Sequence, residues 1–145
     1  MRSVIIMRGI PGSGKTTFLR TRFSDYTVVS ADHYRMKEGK YVFKPEDTPY
    51  CHNCCLMEFL SLLKEKHDKV AVDNTNTRVF EIAPYYRLAE AFGYDVRIVY
   101  LPCCPLQAAK RNVHDVPPET VMAMSLQMEA LPTHWKQITQ IIVSN

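Results

Sequence analysis

Long apolar runs are missing from this 145-residue chain. The stretch from Val4 to Met7 stops at Arg8, far short of the ~20 residues that span a bilayer and unlike a secretory leader. The expectation is an intracellular protein, cytoplasmic or nuclear, without membrane association. A dominant charge is missing too, since 18 Lys and Arg against 15 Asp and Glu leave only +3, which suits a polyanionic ligand without selecting one. Cysteine is present only as an odd set, Cys51, Cys54, Cys55, Cys103 and Cys104, which with no export signal argues against a disulfide framework. Cys51 and Cys54 flank His52 with C-x-x-C spacing, which zinc could use, but they fall in a helical pattern where cysteine serves as a small buried hydrophobe. Repeats, low-complexity tracts and linkers are also absent, so residues 1–145, 46% of them apolar, read as one domain with its own core.

What is present alternates between strand and helix patterns. Val4-Ile5-Ile6-Met7 predicts a buried strand feeding a turn at Arg8-Gly9. Thr16 to Phe23 predicts a helix and Tyr26 to Val29 a second strand. The polar stretch from Ser30 to Thr48, with Asp32, Arg35, Gly39 and Pro45, predicts a functional loop holding at most a helical turn. From Pro49 onward, Leu56, Phe59, Leu60 and Leu63 recur at helical spacing and predict a helix packed on a sheet. Val70 to Val72 is a third strand ending on Asp73, and Asn74 to Thr77 is a turn. The next helix runs to Phe92 and closes at Gly93, with Pro84 delaying its start or kinking it. Val96 to Leu101 is a fourth strand. Pro105 opens a short helix to about Asn112, Pro117-Pro118 open another to about Leu131, and Ile138 to Val143 is a fifth strand. Parallel neighbours need crossover helices, so the expectation is a three-layer α/β fold, a five-stranded parallel sheet with helices on both faces.

Chemistry enters at Gly9-Ile10-Pro11-Gly12-Ser13-Gly14-Lys15-Thr16, which satisfies G-x-x-x-x-G-K-[ST] between a predicted strand and a predicted helix. Glycines let the backbone curl around phosphate oxygens, and the helix N-terminus adds unpaired N–H groups and a positive dipole end. Lys15 adds a full charge, and the Thr16 hydroxyl is placed to ligate Mg²⁺. This spacing predicts a P-loop fold that binds ATP with Mg²⁺.

A phosphate loop alone separates neither kinase from hydrolase nor either from a switch. A kinase also needs a group to deprotonate or orient the acceptor and cations to neutralise moving charge. Asp32 follows the second strand and so belongs at the carboxyl edge where ligands bind, which makes it the candidate base; its alternative role is a helix cap. Arg35 shares a helical face with Asp32 and is the candidate phosphate clamp. Asp73 ends the third strand where an acid would hold Mg²⁺ or its water shell, or serves the turn. Lys110 and Arg111 precede His114-Asp115-Val116-Pro117, where a lid could carry a cation onto ATP; a surface basic pair has the same spacing.

Taken together, Gly9 to Thr16 with Thr17, Ser30-Ala31-Asp32-His33-Tyr34-Arg35, Val72-Asp73-Asn74-Thr75-Asn76 and Lys110-Arg111-Asn112 resemble the polynucleotide 5′-hydroxyl kinases of the bacteriophage and metazoan DNA-repair type and small P-loop proteins related to them. The resemblance implies transfer of the ATP γ-phosphate to a 5′-hydroxyl of RNA or DNA, in a module that stands alone or depends on partners. Lys15 and Thr16 would bind ATP and Mg²⁺, Asp32 would be the general base, and Arg35 would contact the acceptor-side phosphate. Asp73 and Asn74 would sit beside the acceptor, and Arg111 would belong to the lid. This chain departs from the pattern in carrying His33 after the base and in a shorter, arginine-poor lid.

Two other functions use the same residues. A small-molecule kinase acting on a nucleoside, sugar acid or antibiotic hydroxyl would share the phosphate loop and base, differing only in the acceptor pocket. A nucleotide-dependent binding module would need no Asp32. Tyr34, Tyr41, Phe43 and Tyr50 are candidates for stacking on bases or for the core.

Overall fold

A computed structural model describes residues 1–112 and 116–143. In chain order its elements are β1 (Ser3–Arg8), α1 (Lys15–Arg22), β2 (Thr27–Val29), β3 (Met36–Lys37), β4 (Lys40–Tyr41), α2 (Thr48–Lys64), β5 (Lys69–Asp73), α3 (Val79–Ala91), β6 (Asp95–Tyr100), α4 (Pro105–Arg111), α5 (Pro118–Leu126), α6 (Thr133–Lys136) and β7 (Thr139–Ile141). The main sheet has the order β2-β5-β1-β6-β7 and is parallel throughout. No helix among the described residues is long and apolar enough to cross a membrane.

The central strand explains why its sequence is apolar without alternation. Val4 and Ile6 face one side, where they meet Phe59 and Leu63 of α2 and Ile82, Tyr85 and Ala89 of α3. Ile5 and Met7 face the other, with Leu19 of α1 and Val99 of β6. A strand buried on both faces has no polar side to present. Each fully buried large side chain in these layers contributes ~1.5–3 kcal/mol. A third apolar cluster packs Ile10 of the phosphate loop against Ala108 of α4, Val121 of α5 and Val116, which precedes α5.

Cys51 and Cys55 are buried in the α2 core layer, one turn apart. Burial pushes both thiols up from their usual range, as expected for groups that pack rather than react.

Several predicted boundaries shift. The stretch from Ser30 to Thr48 is not a plain loop: a 3₁₀ turn over Ala31–Arg35 leads into the β3–β4 hairpin and a second 3₁₀ turn over Pro45–Asp47. Glu38 (φ 52°) and Gly39 (φ 79°) are both left-handed at the hairpin tip, the turn twist that two-residue hairpins favour. α3 begins at Val79, so Pro84 lies inside it and does not delay its start. α5 stops at Leu126, short of the expected Leu131. Leu131 precedes Pro132, which disfavours a helical conformation there, and the separate helix α6 then buries Trp135 in the core. β7 keeps three of the six residues expected for the fifth strand.

Candidate active site

The phosphate loop leaves β1 at Gly9, whose N–H donates to Thr75 O at 2.9 Å. Gly12 (φ 85°) and Gly14 (φ 98°) both adopt left-handed backbone, open to glycine at little cost. At Gly12 the space is also closed, because a Cβ there would lie 1.9 Å from Ala108 O of α4. α1 starts at Lys15 with Gly14 as its cap, so no side chain caps the helix and no acid sits in its first turn. Its positive end is therefore left for an anion. Lys15 is half-buried and folds back to donate from Nζ to Ile10 O at 3.2 Å. Burial pushes its pKa down, opposed by the charges of Asp73 and Asp32. Ser13 Oγ is buried without a hydrogen-bond partner among the described residues.

Thr16 Oγ1 donates to Asp73 Oδ2 at 2.8 Å, so the hydroxyl from α1 and the carboxylate from the end of β5 meet beside the loop. Met7 of β1 is in register with Asp73, which fixes that meeting point. A hydroxyl and a nearly buried carboxylate form an oxygen-only donor set of the kind that Mg²⁺ accepts alongside phosphates. The uncapped helix end and the orphaned Ser13 hydroxyl fit the triphosphate. Asn74 is buried and braces the neighbouring loop: its Oδ1 accepts from Ala31 N at 2.9 Å and its Nδ2 donates to Cys55 Sγ at 3.6 Å.

Ala31 opens the turn that presents Asp32. Ser30 Oγ accepts from Asp32 N at 3.2 Å, so Ser30 is the cap of this turn. The Asp32 side chain is 42% exposed, and its Oδ1 accepts from Tyr41 Oη at 2.9 Å and lies 3.3 Å from Arg35 Nε. Arg35 is almost fully buried; it donates from Nη2 to Thr48 Oγ1 at 3.1 Å and from Nη1 to Lys44 O at 3.5 Å, with Cζ 4.8 Å from the Phe43 ring centroid. Burial and the adjoining Asp32 carboxylate push the Tyr41 hydroxyl up, which keeps it a donor.

These parts line one cavity of about 730 Å³. Pro11, Gly12, Ser13, Gly14, Lys15, Thr16 and Thr17 line it from the loop and α1, Asp32 and Arg35 from the turn after β2, Asp73 and Asn74 from the end of β5, and Arg111 from α4. Arg111 Nη2 donates to Cys103 Sγ at 2.8 Å. Gly9 lies behind the loop and Lys110 away from the cavity, while His114 and Asp115 of the expected lid lie outside the described residues. The aromatic candidates divide: Tyr41 and Phe43 line the cavity, Tyr34 packs on the core and bonds Glu58, and Tyr50 is exposed.

Three residues had no sequence signal that would have singled them out for the roles they take. Tyr41 reaches Asp32 only because the hairpin folds back. His52 lies one turn beyond Thr48 on the cavity wall, and burial pushes its pKa down toward the neutral imidazole. Arg8 is buried; it donates from Nε to Asn76 O at 2.9 Å and from Nη2 to Thr77 O at 2.9 Å and to Glu129 O, with Cζ 5.4 Å from the Tyr100 ring centroid.

Comparison with known proteins adds a lineage to this geometry. The family AAA_33, described as an AAA domain, matches residues 4–131. NEDD4-binding protein 2 of Homo sapiens is 28% identical over 128 residues; the match covers 83% of this chain but 7% of that protein. The chain in the solved Pnkp1/Rnl/Hen1 RNA repair complex superposes with a TM-score of 0.70 at 20% identity, over 94% of this chain and 45% of that one. A gluconokinase from Sinorhizobium meliloti 1021 gives a TM-score of 0.62 at 16% identity, over 99% and 84%.

Proposed function

The chain belongs to the AAA domain family AAA_33 and has a P-loop kinase fold, and from that premise we propose that it moves the γ-phosphate of ATP to the 5′-hydroxyl of a nucleic acid. The observation that carries the reading is the shared cavity: the Asp32 carboxylate opens into the same space as Lys15 and the Thr16–Asp73 pair. Sheet order explains the sharing. β5 lies between β2 and β1, so the Asp32 turn, Asp73 and the phosphate loop leave three adjacent strand ends, as ligand-binding loops do in open α/β sheets.

In this mechanism each residue has one task. The acceptor oxygen gives its proton to the Asp32 carboxylate as it attacks the γ-phosphorus, the bond from that phosphorus to the β,γ-bridging oxygen breaks, and ADP departs. A positioned base of this kind contributes ~10²–10⁴-fold. Lys15 and the N-terminal amides of α1 take up charge on the phosphate oxygens, which a buried setting makes more effective than water would. Thr16 and Asp73 would hold Mg²⁺, which supplies neutralisation of the β- and γ-phosphate oxygens. Tyr41 and Arg35 keep the Asp32 carboxylate turned into the cavity, and Arg111 would reach the phosphates from α4. Asn74 sets the height of the Asp32 turn above β5. On this reading residues 1–145 form one kinase domain.

The RNA repair complex is a structural neighbour whose name agrees with a nucleic-acid acceptor, while the gluconokinase keeps a small hydroxyl compound in view. Incubation with γ-labelled ATP, Mg²⁺ and 5′-hydroxyl RNA or DNA oligonucleotides is expected to label 5′ ends. Label on gluconate or a nucleoside with none on either oligonucleotide would overturn the proposal.

A further inference from the structure

The wall of the cavity formed by the start of α3 carries two side chains that the phosphoryl-transfer scheme leaves unused. Phe80 lines the cavity yet is 68% exposed. Arg78, two residues before it, also lines the cavity, and its guanidinium takes part in none of the ion pairs among the described residues. An aromatic ring left in water inside a cleft forgoes the burial that usually stabilises it.

The backbone that presents the pair is firmly held. Glu81 Oε1 accepts from Arg78 N at 3.0 Å and from Thr77 Oγ1 at 2.9 Å. Glu129 Oε1 accepts from Val79 N at 2.7 Å, and Arg8 donates to Thr77 O at 2.9 Å. A ring mounted on such a base keeps its orientation while waiting for a ligand, the preorganisation that recognition sites need.

We infer that Phe80 and Arg78 form the subsite for the 5′-terminal nucleotide of the acceptor, Phe80 stacking on its base and Arg78 pairing with the phosphodiester that follows; this rests on the nucleic-acid reading above. Position favours it. The pair follows β5, the strand between the Asp32 turn and the phosphate loop, so an acceptor whose 5′-oxygen meets Asp32 has this wall beside it. Charge favours it as well. Arg35, the candidate clamp, holds Thr48, Lys44 O and Asp32, and Arg111 would serve the ATP phosphates from α4, which leaves Arg78 as the cavity guanidinium open to the acceptor's phosphodiester. A flat ring beside a guanidinium matches a nucleotide, with its π-face and its anion. A sugar acid offers no π-face to the ring.

The test uses steady-state transfer from ATP to short 5′-hydroxyl oligonucleotides, one set ordinary and one with an abasic 5′-terminal nucleotide. Phe80→Leu keeps apolar bulk and loses the ring; it is expected to raise the acceptor KM on the order of 10- to 100-fold, with the KM for ATP unmoved. Phe80→Trp is expected to keep the wild-type acceptor KM. Wild type should discriminate against the abasic end, and Phe80→Leu should lose that discrimination. Arg78→Gln should weaken every oligonucleotide alike and flatten the salt dependence by about one phosphate contact. Active wild type with an unchanged acceptor KM in Phe80→Leu, or with undiminished discrimination in that variant, overturns the subsite alone. Wild type that labels gluconate or a nucleoside but no oligonucleotide overturns the reading beneath it and the subsite together.

Discussion

Gly12 offers a test in which the fold and the site are read by one substitution. In Gly12→Ala the new Cβ meets the backbone carbonyl oxygen of Ala108 at 1.9 Å, and the φ of 85° disfavours any side chain. The left-handed conformation costs ~1–2 kcal/mol and overpacking against a backbone atom a further ~1–3 kcal/mol, since only displacement of α4 relieves it. Gly39→Ala is the matched control, because its φ of 79° is similar and nothing lies within 4 Å; it bears the conformational cost alone. For a chain of this size each kcal/mol moves the melting temperature by ~2–4 °C, so Gly12→Ala should melt roughly 2–12 °C below Gly39→Ala. The assay is thermal unfolding followed by circular dichroism, without ATP and with ATP and Mg²⁺. ATP should stabilise wild type and Gly39→Ala, by ~2.7 kcal/mol at a hundredfold excess over Kd, and should do little for Gly12→Ala. Equal melting temperatures for the two variants, or an undiminished ATP shift in Gly12→Ala, would refute the packing of α4 on the phosphate loop.

Three further outcomes are expected. Asp32→Asn should lower phosphate transfer ~10²–10⁴-fold while the ATP-induced rise in melting temperature persists; normal transfer would remove Asp32 as the base. Thr16→Val takes away the donor to Asp73 Oδ2, so Mg²⁺ should no longer add to the stabilisation by ATP, measured by titrating the metal at fixed nucleotide. His52 is held below its ordinary value of 6.5 by burial, so the unfolded chain binds the proton more readily: the neutral ring's stability is present above pH 6.5 and lost as pH falls through the folded value. Melting of His52→Gln from pH 7.5 to pH 5 should therefore decline less than wild type, and parallel curves would contradict the burial.

How much of this was legible beforehand follows from which interactions are local. The phosphate loop was readable because its function is set by backbone freedom and helix polarity within eight neighbouring residues, Gly9 to Thr16. The central strands β1 and β5 are readable because burial on both faces leaves an unbroken apolar run, as in Val4 to Met7 and Val70 to Val72. The shared helical face of Asp32 and Arg35 follows from their spacing, and the place of Asp73 near the phosphate loop from its strand end, but the direct bond from Thr16 to Asp73 is visible only in the fold. Tyr41 was only a stacking candidate, because its contact with Asp32 depends on a hairpin of two-residue strands that no periodicity announces. Asn74 was expected beside the acceptor, and its side chain spends both polar ends on Ala31 and Cys55, partners that only the packed sheet brings within reach. α5 ends before the expected Leu131, and Glu129 beyond it bonds Thr77, Val79 and Arg8, contacts with segments distant in sequence that no local pattern announces.

The buried Arg8 guanidinium has a consequence for where this unit can be cut. Its carbonyl partners come from residues 68, 69 and 121 positions further along the chain. It gathers the end of β1, the turn after β5 and the segment after α5 into one knot directly beneath the phosphate loop. A fragment stopping at α4 would keep every residue of the nucleotide motif and still lose one of the three carbonyls that hold this cation, together with the segment that supplies it. A stable nucleotide-binding piece of this chain is therefore expected to reach Glu129, well past the last residue with any place in the proposed chemistry.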